Sequence, residues 1–319
     1  MKKFYVFAAV AIAALASCTK SEVVYNQGPQ EIGFRQFTGA MTKADPSTSP
    51  LLTTTSMGVF SYLNGTETEY FKNAEFEYKS ATTKWGGKTP YYWPLKDHLD
   101  FVLYAPYQST GVTYTHSSTS SNILNVTIAD NSGEPQTDYL YGKKFYANTA
   151  KPATPSDGVP VVLKHALSKV TIAAKANAAS IFKVTSIKLM QTIQKGSYTV
   201  TYTTEGTDFT SVVTGSTDEN AKKDMEYVSP ESAWDLTADF SEVKTASKLV
   251  VPSNQTSIVL TYTMAGNEAV ELTATVDLSG TWETGKHYTY NLTLTADEIL
   301  FVPTVQDWDN QTASEVPVK

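Results

Sequence analysis

The only cysteine of the chain lies in a context that predicts covalent lipid attachment. Cys18 follows Leu15-Ala16-Ser17 and precedes a polar run that begins at Thr19. Small residues followed by a cysteine form the site at which bacterial lipoproteins are cut and acylated, so Cys18 is predicted to carry the lipid. Each buried CH₂ adds about 0.8 kcal/mol to membrane binding, and several acyl chains together anchor a protein firmly. An acylated cysteine cannot form a disulfide, bind zinc or act as a nucleophile.

The residues before Cys18 predict export. Lys2 and Lys3 precede an apolar run over residues 4–16. This run is shorter than the roughly 20 residues of a membrane-spanning helix, and it fits a signal peptide. We therefore interpret residues 1–17 as a signal peptide and residues 18–30 as a tether between lipid and fold. Residue 19 is threonine rather than aspartate, so retention at the inner membrane is not signalled. The predicted destination is the outer membrane and the cell surface.

Composition narrows the class of protein. The formal net charge is −7 at pH 7 and no basic cluster is present, which argues against nucleic acid as a partner. Apolar residues make up 41% of the chain, and threonine, tyrosine and valine are plentiful. This mixture is typical of a folded β protein. The part of the chain after the signal peptide is long enough for two ordinary domains.

Side-chain alternation with a period of two predicts strands with one buried face. In residues 31–37, the predicted first strand, Ile32, Phe34 and Phe37 lie on or near one face. Residues 38–55, rich in threonine, serine, proline and glycine, are predicted as a long exposed loop. The other predicted strands are separated by turn residues and occupy 57–63, 70–78, 91–93, 99–105, 123–128, 139–141, 258–264, 269–278 and 288–294.

Many short strands with regular turns are typical of β-sandwiches. Residues 147–158, which contain two prolines, are predicted to link two such domains. The predicted fold is therefore all-β, with antiparallel β-sandwich domains over residues 31–158 and 159–319. The second domain includes the C-terminal tail.

Aromatic residues between positions 91 and 107 support a separate functional hypothesis. Tyr91, Tyr92, Trp93, Tyr104 and Tyr107 have apolar rings that suit either a core or a surface on which sugar rings stack. If these rings form a sugar-stacking surface, the protein would be a monomeric glycan-binding surface lipoprotein. Alternation along the chain favours core positions for at least half of the five.

Motifs for catalysis or metal binding are absent from the sequence. The four histidines are scattered without ligand spacing, and the turn at Asp130 lacks the pattern of a calcium loop. The sequence also has no phosphate-binding glycine loop, nucleophile elbow or zinc-protease motif. We therefore predict no enzyme activity, no metal and no cofactor.

Several segments together resemble the fimbrillin family, the lipoprotein precursors of polymeric pili in anaerobic Gram-negative bacteria of the gut and mouth. Each segment alone is only an aromatic or alternating strand. In this order and behind the Cys18 site, they cover nearly the whole mature chain. The matching segments are residues 90–94, 99–106, 161–172, 282–294, 298–299 and 305–308.

The resemblance implies a fold and an assembly chemistry. It implies two transthyretin-like β-sandwich domains after a lipoprotein signal peptide. In the family, a protease removes the lipidated N-terminal segment with the first strand, and a strand from a neighbouring subunit fills the resulting groove. The implied partners are other pilus subunits, the processing protease, the outer membrane through lipid, and a host or microbial surface ligand. The implied role of the pilus (fimbrium) is adhesion.

Two residues are candidate processing sites. Arg35 is the only arginine of the chain, but it lies inside the predicted first strand. Members of the family that the chain resembles often carry Thr-Arg-Ala in the following loop, and the matching place here is Thr42-Lys43-Ala44. Lys43 is thus the alternative cut site for a trypsin-like protease. A third possibility is that neither bond is cut and the subunit stays attached as an anchor.

The donor strand is also left open by the sequence. The C-terminal tail offers Val316 and Val318 as alternating apolar residues, separated by Pro317, which lacks a backbone donor. Either the donor begins upstream, through residues 299–305, or this subunit terminates the polymer.

Overall fold

Strands form most of the part of the chain that the structure describes. The computed structural model describes residues 29–37, 53–94, 97–145, 158–177, 182–203, 209–236, 243–264, 266, 269–295 and 299–308. Within these ranges the strands are β1 Gly33–Phe37, β2 Met57–Leu63, β3 Glu69–Lys79, β4 Lys84–Gly87, β5 Leu99–Ala105, β6 Val112–Thr115, β7 Asn122–Ile128, β8 Leu140–Lys144, β9 Val159–Val162, β10 Lys164–His165, β11 Ser168–Ala176, β12 Phe182–Ile193, β13 Gly196–Tyr202, β14 Phe209–Gly215, β15 Lys222–Val228, β16 Trp234–Leu236, β17 Lys244–Val250, β18 Ser257–Met264, β19 Leu272–Asp277, β20 Lys286–Leu294 and β21 Ile299–Asp307. The predicted all-β class is confirmed.

The first sheet curls around its own core. Its strand order is β10-β8-β5-β2-β3-β4-β1-β9. The two outermost strands, β9 and β10, are consecutive in the chain and are separated only by Leu163. Both ends of the sheet are therefore joined by one short segment. The buried core inside the sheet consists of Ile32, Phe34, Met57, Val59, Phe71, Ala74, Phe76, Trp85, Trp93, Leu99, Phe101, Leu103, Ala105, Leu140, Val159, Val161 and Leu163.

A second sheet, β14-β13-β7-β6, covers part of the outer face of the first. Tyr198 and Tyr202 on β13 are buried in this interface. Their hydroxyls donate to the carbonyl oxygens of Leu140 and Gly142 at 3.1 and 3.3 Å. Burial raises the pKa of both tyrosines well above the ordinary value. Because these two hydroxyls are paired, the rings of Tyr198 and Tyr202 are buried without leaving either hydroxyl unsatisfied.

The predicted boundary between residues 158 and 159 stays a prediction, and three strand pairs cross it, one of which is β8 with β10. β7 pairs with β13, in the register Val126↔Tyr198. β9 pairs with β1 in the first sheet. The strands on either side of the predicted boundary therefore share two sheets.

The C-terminal part of the chain forms a second sandwich. The sheet β17-β11-β20-β21 packs against the sheet β15-β12-β18-β19, and β16 pairs with β12. Trp282 is fully buried between them, and its indole N–H donates to the Tyr290 hydroxyl at 2.9 Å. The predicted inward alternation of β20 is confirmed, since Tyr288, Tyr290, Leu292 and Leu294 are all buried.

Some local predictions differ from the structure. Residues 91–93 do not form a regular strand, and Tyr92 makes an isolated bridge to Glu31 instead. Prolines at positions 90 and 94 flank this segment and lack the N–H that a strand ladder needs. Two strand pairs, β1 with β9 and β11 with β20, are parallel within otherwise antiparallel sheets. Most of the predicted loop 38–55 and linker 147–158 lies outside the described residues.

The predicted hairpin of residues 258–264 and 269–278 is present as the antiparallel pair β18 and β19. The alternation of residues 269–278 predicts that Leu272 shares the apolar face of this strand with Val276, but Leu272 is exposed. β19 is an edge strand of its sheet, so its side chains have a neighbouring strand on one side only.

A polar network crosses the outer face of the C-terminal sandwich at His287. The Gln306 amide donates to Nδ1 at 3.0 Å, so the ring proton lies on Nε2, which is 2.7 Å from the Thr171 hydroxyl. Burial, with Lys169 nearby as a second cause, lowers the pKa of His287 from 6.5 to about 4. The neutral ring thus links β21 to β20 and β11.

This histidine is expected to make stability depend on pH. Because its pKa is lower in the folded than in the unfolded chain, its contribution is complete above pH 6.5 and is lost as the pH falls towards 4. The ring is half-buried, so solvent screening reduces the effect to on the order of 1 kcal/mol. Urea unfolding of the wild-type protein and of His287→Gln should show a smaller pH slope for the variant. Equal slopes would contradict this assignment.

Candidate functional site

The first strand is inserted between two others rather than lying at the edge of its sheet. β1 pairs antiparallel with β4, through Gly33↔Gly86 and Phe34↔Trp85. On its other side it pairs parallel with β9, from Phe34↔Val159 to Phe37↔Val162. β1 is the only part of the described chain before residue 53 that enters this sheet. The chain therefore delivers an isolated N-terminal strand into a slot built by later residues.

Backbone hydrogen bonds extend this insertion upstream of β1. The Ile32 N–H donates to the carbonyl oxygen of Tyr91 at 2.7 Å, and the Trp93 N–H donates to that of Gln30 at 2.9 Å. Glu31 and Tyr92 form an antiparallel bridge. The segment from Gln30 to Phe37 is thus bound along its length by backbone pairing, which recognises an extended chain without reading its side chains.

Two side chains of this segment fill pockets in the first core. Ile32 and Phe34 are both 0% exposed, which confirms their predicted position on the inner face. The Phe34 ring makes edge-to-face contacts with Phe76 at 5.0 Å and with Phe101 at 5.1 Å. The backbone of Phe37, the third residue predicted for this face, pairs with Val162. The side chains at alternate positions therefore anchor the strand, and the aromatic contacts add to the area that they bury.

Removal of β1 would leave a groove with a defined chemistry. Its floor would be apolar, lined by Phe76, Phe101 and Trp85, and its sides would be the unpaired backbone edges of β4 and β9. Unpaired edges beside an apolar floor attract another extended chain. Such a groove would fit a strand with large apolar residues at positions i and i+2.

Arg35 lies on the opposite, exposed face of β1. Its Nε donates to the carbonyl oxygen of Gly158 at 3.3 Å, and its backbone pairs with Pro160. Gly158 has a φ of +77°, and a Cβ there would lie 3.2 Å from the Arg35 Cγ. A substitution at Gly158 would therefore strain the backbone where β9 begins. The guanidinium is accessible, whereas the adjoining peptide bonds belong to the sheet.

The other predicted site residues, Cys18, Lys43, Val316 and Val318, lie outside the described residues. Lipidation, proteolytic processing and strand donation at these positions stay predictions.

The aromatic cluster proposed for sugar stacking is mostly internal. Trp93 and Tyr104 are buried, and Tyr91 packs against the first core, whereas Tyr92 is 44% exposed. The Tyr104 hydroxyl lies 2.6 Å from the Asn73 side-chain oxygen, and burial raises its pKa to about 12. These rings stabilise the fold, so they do not form a sugar-binding platform together.

The exposed apolar residues of β21 were not predicted, because the sequence indicated residues 299–305 only as a possible start of the donor strand. It is an edge strand that pairs with β20 on one side. Phe301 faces inward and stacks on Tyr290 at 5.6 Å, whereas Leu300 and Val302 are 43% and 54% exposed. Continuous apolar sequence is typical of strands that are buried on both faces, and an edge strand does not need it. The continuous apolar run at residues 299–302 was therefore the feature of the sequence that could have indicated an unusual role for β21.

No group of three or more histidine, cysteine, aspartate or glutamate residues within the described ranges is arranged to hold a metal ion. In the same part of the chain, no helix has the length and apolar character needed to cross a membrane.

The structure is that of an all-β protein in which the first strand is inserted between β4 and β9, and the comparisons give its family. The sequence model of a family described as fimbrillin-like matches residues 42–308. Because this match covers most of the chain, the protein belongs to the fimbrillin-like family. A search of curated proteins gives no match.

Solved structures with a similar fold include three from Bacteroides. A fimbrial protein from Bacteroides vulgatus ATCC 8482 has a TM-score of 0.53 and 16% identity, over 87% of this chain and 99% of that chain. A candidate cell adhesion protein from Bacteroides ovatus ATCC 8483 has a TM-score of 0.53 and 17% identity, over 88% and 99%. Another from Bacteroides uniformis ATCC 8492 has a TM-score of 0.50 and 18% identity, over 88% and 99%. At these identities the likeness concerns the fold.

Proposed function

We propose that this protein is a structural subunit of a cell-surface pilus, which it reaches as an outer-membrane lipoprotein acylated at Cys18. Subunits join by strand exchange after a protease removes the N-terminal segment with β1, and the resulting fibre serves adhesion. Membership of the fimbrillin-like family supports the class of function. The observation that supports the mechanism is the insertion of β1, an N-terminal strand that is bound on both sides and anchored by Ile32 and Phe34.

The position of Arg35 favours Lys43 as the cut site. A protease binds its substrate as an extended chain, and the backbone of Arg35 is already paired within the sheet. Cleavage there requires β1 to leave first, and it would keep Gln36 and Phe37 on the mature chain. Cleavage at Lys43 releases all of β1. The fimbrillin-like match also begins at residue 42, after β1 has ended.

β21 is the donor that the groove fits best. Ile299-Leu300-Phe301 repeats the spacing of Ile32-Gly33-Phe34, the segment that the groove holds. In its own sandwich β21 has one neighbouring strand, whereas in the groove of a second copy it would pair with both β4 and β9. Phe301 would pass from a partly buried to a fully buried site. The exchange thus gains a second ladder and a deeper pocket, which offsets the loss of pairing with β20.

The C-terminal tail is the alternative donor, through Val316 and Val318. The two donors differ in which apolar side chains are needed for polymerisation. Phe301→Ala should block growth of the polymer if β21 donates, and Val316→Ala should do so if the tail donates.

N-terminal sequencing of the protein from purified surface fibres tests this proposal. We expect mature chains to begin at Ala44, and we expect Lys43→Gln to abolish trimming. Arg35→Gln is the matched control because it also removes a basic residue, and it should leave trimming unchanged. A surface population in which every chain still begins at acylated Cys18 would contradict assembly by trimming.

A further inference from the structure

One extended segment touches both the first strand and the end of the last one. In residues 159–165, the side chains of Val159, Val161, Leu163 and His165 are all buried, whereas Val162 and Lys164 are exposed. The first part of this segment is β9, whose only strand partner among the described residues is β1. The last part is β10, which pairs with β8 through two residues. A change at β1 therefore acts directly on this segment.

His165 connects the segment to the C-terminal end of the described chain. Its Nδ1 lies 2.8 Å from the Asp138 carboxylate, and both side chains are buried. The imidazole stacks on the indole of Trp308, with 3.6 Å between the ring centroids and 6° between the planes. The Asp138 carboxylate thus lies against one edge of the imidazole, and the face of the imidazole stacks on Trp308.

Trp308 directly follows β21, so this stack holds the end of the proposed donor strand. The Trp308 N–H donates to the carbonyl oxygen of Gly285 at 2.8 Å, and Asp307 forms an ion pair with Lys286. These contacts lie within the C-terminal sandwich. The contact with His165 is different, because His165 belongs to a strand of the first sheet.

We propose that His165 and Trp308 form a latch through which β1, while it occupies its slot, keeps β21 in its own sandwich. This inference rests on the proposed function, and it adds a control over when the donor is released. His165 acts as a positioning residue, since it holds the donor strand without entering the exchange.

The coupling follows from the pairing. When β1 leaves, β9 loses its four paired positions, and β10 is then the only part of the segment whose backbone is paired with another described strand of the sheet. Loss of a neighbouring strand lowers the free energy needed for local opening. Stacking is sensitive to small movements, because a gap of about 0.5–1 Å removes a quarter to a half of the dispersion attraction. Donor release thus follows trimming, which keeps an untrimmed subunit from joining others prematurely.

Hydrogen exchange of the soluble monomer that begins at Thr19 tests the latch. Phe34→Ala weakens β1 without removing it, and we expect about tenfold faster exchange both in residues 159–165 and in residues 299–308. Met57→Ala is the matched control, because Met57 is buried in the same core but lies on β2, which pairs with β3 and β5. It should leave residues 299–308 unchanged.

A second variant separates the latch from general loss of stability. His165→Ala should accelerate exchange in residues 299–308 while β1 stays protected. Adding Phe34→Ala should then give no further acceleration at residues 299–308, since the connection is already broken. Unchanged exchange at 299–308 in Phe34→Ala, or an equal increase in Met57→Ala, would overturn the latch.

These measurements concern the monomer, so they are independent of whether polymers form. Sedimentation of chains trimmed to begin at Ala44 reports on the proposed function by itself. Polymers without the exchange pattern would refute the latch and leave the proposed function standing. The exchange pattern without polymers would support the latch and refute strand exchange between copies.

Discussion

Replacing Phe34 by alanine is expected to lower the free energy of unfolding by about 3–5 kcal/mol, the usual cost of removing a buried phenylalanine. Phe34 is fully buried, and its ring contacts Phe76 and Phe101 at their edges. β1 has only one further buried apolar neighbour upstream, Ile32, so the lost contacts cannot be shared among many residues. Denaturant unfolding of the soluble chain that begins at Thr19 measures the change.

Arg35→Ala is the control for this substitution, because it shortens the next side chain of the same strand on its exposed face. It should alter the free energy of unfolding by about 0.5 kcal/mol or less, as is usual for surface substitutions. A loss below about 1 kcal/mol for Phe34→Ala would show that β1 is not anchored by its inner face, and the groove would lose its main pocket.

A chain trimmed to begin at Ala44 is expected to leave the monomeric state, which is the largest effect that we predict. Its groove exposes apolar side chains and two unpaired strand edges, and surfaces of this kind associate. A peptide of residues 29–37 should keep the trimmed chain monomeric, because it would occupy the groove and pair with both strand edges. Analytical ultracentrifugation with and without the peptide measures both effects.

The peptide with Phe34→Ala is the matched control, and it should fail at the concentration at which the native peptide succeeds. Equal rescue by both peptides would mean that the groove does not select the aromatic side chain. A trimmed chain that stays monomeric without any peptide would show that β1 is dispensable.

Local patterns in the sequence predicted those features of the strands that depend only on residues close together in the chain. The bounds of β2 and β5 agree with the prediction, and Ile32 and Phe34 face the core as their spacing indicated. Both cases depend on alternation within a single strand, which the sequence shows directly.

The relations between distant strands could not be obtained in this way. The pairing of β7 with β13 and of β9 with β1 joins residues that are far apart in the chain, and alternation does not specify a partner. For the same reason, the sequence showed an apolar run at residues 299–302 but not that β21 would be an edge strand with Leu300 and Val302 exposed.

The most direct test of strand exchange is a disulfide between two copies of the trimmed chain. The chain that begins at Ala44 has no cysteine, because the single native one is at position 18. Aligning Phe301 with Phe34 places Thr304 at the position of Phe37, which pairs with Val162. We predict that Val162→Cys combined with Thr304→Cys gives covalent oligomers under oxidising conditions, and that the same pair in the chain beginning at Thr19 stays monomeric. Val162→Cys combined with Gln306→Cys tests a register that is shifted by two residues. Fibres that form without a disulfide at either of these two pairs would contradict donation by β21.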